Sequence, residues 1–338
     1  MSFNKWNSWG VEFTYLPTDK ALKPFESKLD LYDFQYKQEY RWTRGTSEGH
    51  RSNSLTSLQI EVPSETALFE YNKAVQELCV GINIRKFRSE LDKCYNIYDD
   101  EGCLEVASPV FHTIPQMKGF YKKLSELATQ HNFVAHRDDN YSGGGHIHVA
   151  LKDLGGGYDS FHFLLNLFSD INQRPYLNWM FNEVGDDYSS VTYRNDDIEE
   201  MLDKTKSLSY YEIYESECFS DDLSRKSVLW LFEGDKGNVI RLDTADGDKP
   251  DTVEFRMLDA YDSYEQLEDM VTFVHKYLTY IENITAEGQE VVYNKWDYKK
   301  DPIPEFKKLL KKLDLPYGRY KKYAQRHKLW KTKWKKNL

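Results

Sequence analysis

Alternation of apolar and polar residues marks short strands along the chain. In Gly10–Tyr15, GVEFTY, period 2 sends Val11, Phe13 and Tyr15 to one face and Glu12 and Thr14 to the other. Cys103–Ser108 places Glu105 with Cys103 and Ala107, opposite Leu104 and Val106. Preceded by Cys94–Tyr98 and an Asp-Asp-Glu-Gly turn, it predicts a hairpin. In Asn140–Leu151, NYSGGGHIHVAL, three glycines run into a strand that alternates His146 and His148 with Ile147 and Val149. Thr252–Leu258, TVEFRML, sets Glu254 and Arg256 against Val253, Phe255 and Met257. Each predicted strand has one face to bury and one face able to carry chemistry. The glycines ahead of His146 suit a backbone that comes close to a ligand.

Elsewhere the period lengthens to that of a helix. Thr113-Ile-Pro-Gln116 is a capping box with an early proline, and Phe120, Leu124, Leu127 and Ala128 recur after it at helical spacing. A second capping box, Ser263-Tyr-Glu-Gln266, opens a helix with Leu267, Met270, Val271, Val274, Leu278 and Ile281 as its core stripe. Phe161–Ile171 is strongly apolar and reads as a helix ending at residues 172–175, and another helix is predicted after Ser64. Gly155–Asp159, GGGYD, reads as a turn before a helix rather than a phosphate cradle. Arg44–Ser57 reads as a loop or lid, and residues 186–236, with an acidic cluster at 196–200, predict surface structure. Strands and helices together indicate an α+β fold.

Composition narrows the class. A chain of 338 residues with 40% hydrophobic and 15% aromatic content can bury a sizeable core, as one large domain or two ordinary ones. No apolar run approaches the roughly 18 residues of a membrane span, and the first residues lack the pattern of a signal peptide, so the reading is cytoplasmic. The four cysteines show no C-x-x-C spacing and read as reduced and structural. The net charge of −10 conceals a split, because residues 299–338 hold fifteen Lys or Arg against three acids. We therefore set residues 1–298 apart as the main domain and residues 299–338 as a basic, aromatic C-terminal extension. Within it Phe306, Leu309, Leu310 and Leu313 predict an amphipathic helix with lysines on the other face, and Tyr317, Tyr320, Tyr323, Trp330 and Trp334 follow. Two readings stay open: the stripe packs on the body of the protein, or the segment grips nucleic acid by phosphate contacts and stacking.

The polar faces carry the candidate chemistry. A single glutamate on the outside of an amphipathic strand is ordinarily just solvated. A glycine-flanked His-x-His either binds a metal or hydrogen-bonds quietly within a sheet, and Arg256 beside Glu254 could be a surface ion pair. The joint pattern changes the weighing. The order G-V-E, then G-C-L-E-V-A-S-P, then G-G-H-I-H-V, then T-V-E-F-R with an amphipathic helix after it resembles the amidoligases, a branch of the glutamine synthetase and glutamate–cysteine ligase superfamily. The resemblance covers roughly residues 8–285.

That resemblance implies a curved antiparallel sheet whose concave face holds metal ions, ATP and a carboxylate substrate, with helices packed behind. It implies Glu12, His146 and Glu254 as ligands of a metal ion at the ATP phosphates. Arg256 would neutralise the transferred phosphoryl group, which makes Glu254 and Arg256 the catalytic candidates. Asn140, Gly144, Gly145 and His148 fall in the substrate-contacting segment. Thr14 stands where the superfamily commonly has a second glutamate, leaving Glu105 as the candidate for a second metal position. Arg241, just upstream of the TVEFR strand, and Arg174 are candidates for holding ATP. The implied activity is an ATP- and Mg²⁺-dependent carboxylate–amine ligase, with Mn²⁺ equally suited to a mixed Glu and His site. Its substrates would be an amino-acid, peptide or other small carboxylate and an amine. No G-x-x-x-x-G-K-[ST] loop indicates a P-loop enzyme. The reading from a different class is a nucleic-acid-binding protein on a catalytically degraded ligase fold, using residues 299–338.

Overall fold

The computed structural model describes residues 8–17, 38–40, 58–60, 97–100, 103–108, 110–130, 133–135, 145–151, 158–181, 196–218, 231–232, 239–243, 252–297 and 299–334. The loop Arg44–Ser57, the helix expected after Ser64, and Asn140 and Gly144 lie outside them. The chain divides into two compact units: Ser8–Gly145 with Ala260–Gln266, and Met1–Asn7 with His146–Asp259 and Leu267–Leu338. Both combine antiparallel strands with helices.

The first unit is built around β1 (Trp9–Pro17). A short antiparallel pair, β2 (Gln38–Tyr40) and β3 (Leu58–Ile60), stands apart from its main sheet. β4 (Ile97–Asp100) and β5 (Cys103–Ala107) form the expected hairpin, with Asp100 opposite Cys103. β5 pairs with β1 so that Glu12 faces Ala107 and Thr14 faces Glu105. Beyond the ladder Ser108 closes the pairing, its N–H donating to the Val11 carbonyl at 2.8 Å and its Oγ accepting from Val11 N–H at 2.9 Å.

The capping box at Thr113 forms as predicted and starts α1 (Ile114–Gln130): Gln116 Oε1 accepts from Thr113 N–H at 3.1 Å, and Thr113 Oγ1 accepts from Gln116 N–H at 3.4 Å. Met117, Phe120, Tyr121, Leu124 and Ala128 are buried, as are Val11, Phe13 and Tyr15. Phe13 lies 5.9 Å from Phe120 and 6.0 Å from Tyr121 between ring centroids, so strand and helix share one core. β6 (Phe133–Ala135) then returns to pair with the end of β1.

The second unit holds a three-stranded antiparallel sheet with β9 (Thr252–Phe255) between β7 (Ile147–Ala150) and β8 (Ile240–Asp243). Its rows alternate as the sequence requires. Ile147, Phe255 and Ile240 form one apolar row and Val149, Val253 and Leu242 another, all buried. The row between them is His148, Glu254 and Arg241.

Helices supply the rest of this core. α2 (Tyr158–Asn172) is buried on all sides from Ser160 to Ile171, as its apolar composition demands, and α3 (Tyr176–Phe181) follows it. Within residues 186–236, where no periodicity was read, residues 196–218 form two helices. α4 (Asp196–Lys204) and α5 (Tyr210–Cys218) are helices that bury Ile198, Met201, Leu202, Tyr210 and Ile213. Among the described side chains each buries two or three apolar ones, too few to register as a period, and the acidic cluster sits at a helix N-terminus, where the dipole favours it. The long helix α6 (Tyr264–Ala286) buries every residue of the stripe named above, from Leu267 to Ile281.

The C-terminal segment packs within this same unit. α7 (Pro302–Lys312) is capped by Asp301, whose carboxylate accepts from Ile303 N–H at 3.1 Å, and buries Phe306, Leu309 and Leu310, with Leu313 buried just beyond its end. α8 (Tyr317–Trp334) buries Tyr320, Tyr323 and Ala324. Asp269 on α6 fastens it: Arg319 Nε donates to Oδ1, and Tyr323 Oη and Lys322 Nζ each lie 2.8 Å from Oδ2. Among the described residues no helix is long and apolar enough to cross a membrane.

Candidate functional site

The candidate site grows from the polar row of the β7–β9–β8 sheet. Directly opposed residues in neighbouring strands share a face, so the register that pairs Glu254 with His148 on one side and Arg241 on the other brings three polar side chains together. His146 precedes β7 by one residue, and Arg256 follows β9 by one. Both keep the parity of that face.

Glu254 is only 1% exposed and is surrounded by positive or potentially positive groups. Arg256 Nη1 donates to Oε1 and Arg241 Nε donates to Oε2. His146 Nδ1 lies 3.3 Å and His148 Nε2 3.8 Å from Oε1. Burial alone pushes the carboxyl pKa up, but Arg256, His148, His146 and Arg241 outweigh it and hold the group at about 2. Glu254 is therefore an anion near neutral pH. The Nε of Arg256 is buried with no hydrogen-bond partner among the described residues. A strand-borne carboxylate so densely served by cationic donors is costly to assemble for structure alone.

Thr252 completes the row's orientation, its Oγ1 lying 3.4 Å from His148 Nδ1. Its role was not foreseen from the sequence. Period 2 does place Thr252 on the face of Glu254, and that was the available signal. A hydroxyl on Nδ1 leaves Nε2 of His148 turned toward the carboxylate.

The donor set fits a divalent cation in kind. Glu254 and His148 each offer a ligand atom, and these lie within 4.8 Å of one another. Carboxylate oxygen with imidazole nitrogen suits Mg²⁺ or Mn²⁺. Register pairs His148 with Glu254, whereas His146, the expected ligand, approaches Glu254 from outside the ladder.

The remaining expected residues lie as follows. Glu12 is half-buried on β1 opposite Ala107 in its own unit. Glu105 pairs with Thr14 in the register of β5 on β1. Thr14 is buried, and its Oγ1 has no hydrogen-bond partner among the described residues. Gly145 is buried, and its carbonyl accepts from the Tyr261 hydroxyl.

Arg174, a candidate for holding ATP, meets Asp170 and Tyr176. Its Nε and Nη2 both donate to Asp170 at 2.8 Å, and Nη1 donates to the Tyr176 hydroxyl at 3.2 Å. Burial works against its charge, and Asp170 more than compensates, raising the guanidinium pKa further. That arrangement is an anchor between α2 and α3. On the C-terminal helices Lys307, Lys308, Lys311 and Lys312 are exposed on the face opposite the buried stripe.

No family model and no curated protein matches the chain. Solved structures do match, distantly. A GmaS–ADP complex is 12% identical over 98% of this chain and 70% of its own, with a TM-score of 0.41. A glutamine synthase homolog is 10% identical over 95% of this chain and 65% of its own, with a TM-score of 0.43. Plasmodium falciparum glutamine synthetase is 12% identical over 84% of this chain and 52% of its own, with a TM-score of 0.38.

Proposed function

We propose that the protein is an ATP- and divalent-cation-dependent carboxylate–amine ligase. The observation that carries this reading is the buried Glu254 carboxylate, held between Arg241 and Arg256 with His146 and His148 beside it. The order of the four strand motifs in the sequence supports it as well.

Joining a carboxylate to an amine near neutral pH is uphill, so the acid must first be activated. In the reading offered here a substrate carboxylate oxygen attacks the γ-phosphorus of ATP and ADP leaves. The amine then attacks the resulting acyl phosphate and inorganic phosphate leaves, with one proton released from the nitrogen. Phosphoryl transfer requires charge neutralisation more than bond-making side chains. Arg256 and Arg241 would meet the charge that develops on the transferred group. Glu254 and His148, with Glu12 as third ligand and His146 alongside, would hold a cation that binds the phosphate oxygens. Glu105 is proposed for a second cation position, and Gly145 and His148 for the substrate side. ATP, Mg²⁺ or Mn²⁺, and a carboxylate with an amine partner are the ligands this reading requires, and its setting is cytoplasmic.

The test is ADP release from ATP and Mg²⁺ in the presence of pooled amino acids and amines. The wild-type protein should release ADP only when both acid and amine are supplied, and Glu254→Gln should lower the rate at least 100-fold while the circular dichroism spectrum stays unchanged. ADP release that ignores both acid and amine, or that survives Glu254→Gln, would sink the ligase reading. The exposed lysine face of α7 carries the second reading, nucleic-acid binding through residues 299–338. It predicts salt-sensitive binding of an oligonucleotide that charge reversal at Lys307, Lys308, Lys311 and Lys312 abolishes.

A further inference from the structure

The two oxygens of Glu254 are both in use: Oε1 accepts from Arg256 and Oε2 from Arg241. Any cation that Glu254 ligates must share or displace these same bonds. On β8 and β9 two guanidinium groups meet this one carboxylate. Where Glu254 is out of contact with solvent, a dication drawn to the carboxylate adds positive charge beside both guanidinium groups, which an accompanying anion offsets. The displaced guanidinium groups are what such an anion would bind, since planar N–H forks match phosphate oxygens. Arg256 already holds a buried Nε donor with no partner among the described residues.

We propose that Glu254 is an exchange point: it holds Arg241 and Arg256 in the cation-free protein, and a dication takes the carboxylate only as the released guanidinium groups take a phosphate group. The inference rests on the reading of this site as a cation and phosphate site, and it adds an energetic coupling between the two. Neither ligand is bound well alone, and each improves the other by the same factor, as linkage demands. The positive charges of Arg241 and Arg256 do double service, first shielding a buried carboxylate and then neutralising the phosphate.

Binding measurements on the full chain test this without reference to turnover. Mn²⁺ is titrated by electron paramagnetic resonance with and without inorganic phosphate at a fixed millimolar concentration, and phosphate binding is followed with and without Mn²⁺. The wild-type protein should bind Mn²⁺ at least tenfold more tightly when phosphate is present. Arg241→Gln should bind Mn²⁺ alone at least tenfold more tightly than wild type, because a competitor and a positive charge are gone, and its coupling to phosphate should fall below about threefold. Arg256→Gln should move in the same direction, which keeps the test intact if either variant fails to fold. Mn²⁺ and phosphate binding independently, with a coupling factor near one, overturns the exchange and leaves the cation and phosphate reading standing. Cation-only binding that weakens in both arginine variants also overturns it. Absence of any Mn²⁺ or phosphate binding to the wild-type protein overturns both.

Discussion

Two buried carboxylates in the same unit, Asp170 and Glu254, are each met by arginine, and they are balanced differently. Asp170 receives both Nε and Nη2 of one guanidinium at 2.8 Å, and a neutral hydroxyl from Tyr277 at 2.5 Å. One negative charge meets one positive charge, and the pair ties α2 to α3 and α6. Glu254 faces two guanidinium groups and two imidazoles. A network that only holds helices together closes on itself, because an unmet polar group inside a protein destabilises it. Around Glu254 two guanidinium groups share one carboxylate, and Arg256 keeps a buried Nε with no partner among the described residues. The ion pair as such says little, and the stoichiometry around it says more.

Breaking the closed pair should have the largest effect. Asp170→Ala strands Arg174, only 14% exposed, without its counter-charge, and should cost about 3–5 kcal/mol in denaturant unfolding. A cost under about 1 kcal/mol would mean that the pair is not what fastens these helices. The next effect is the pH dependence that Glu254 confers. Glu254 ionises near 2 when folded and near the ordinary glutamate value of 4.5 when unfolded, so its pairing stabilises the protein above pH 4.5, and that stability is lost as pH falls toward 2. The stability of wild type relative to Glu254→Gln should therefore shrink over that window by roughly 3 kcal/mol. A difference that stays flat from pH 5 to pH 2 would refute the depressed pKa.

Smaller changes sharpen the contrast. Tyr277→Phe removes a hydroxyl bond to a charged acceptor and should cost about 1.5–3 kcal/mol, while leaving the Mn²⁺ and phosphate binding proposed for Glu254 untouched. Lys206→Ala, which removes the exposed Lys206–Asp203 pair at 2.6 Å, should cost less than about 1 kcal/mol by the same unfolding measurement. If it matched Asp170→Ala, burial would not be the variable that sets the strength of these pairs.

Much of this arrangement could be read before any coordinates. Period 2 placed Glu254, Arg256, His146 and His148 on polar faces, because alternation along a strand is a local property of the chain. Both capping boxes formed, at Thr113 and at Ser263, where Oγ accepts from Gln266 N–H at 3.2 Å. These too are local chemistry. What could not be read is pairing across distance. Period 2 gives the face of Arg241 and not its neighbour, and only the register of β8 on β9 sets it beside Glu254. The setting of Arg174 escaped for the opposite reason. Asp170 is one polar residue inside a helix read as apolar, and nothing in the spacing announced that its carboxylate is buried at the turn below Arg174. The helices at 196–218 were hidden because short helices carrying few apolar residues leave no long stripe to detect.

The row His148–Glu254–Arg241 runs perpendicular to three strands, and its integrity depends on counting modulo two. Lengthening or shortening the connection between residues 243 and 252 leaves that count unchanged. Inserting one residue inside β8 instead turns Arg241 through the sheet and delivers a neighbouring aliphatic side chain to the carboxylate. Variation in this protein should thus be lenient about the size of its loops and intolerant of odd-numbered insertions in the ladder, an asymmetry that a library of single-codon insertions would expose.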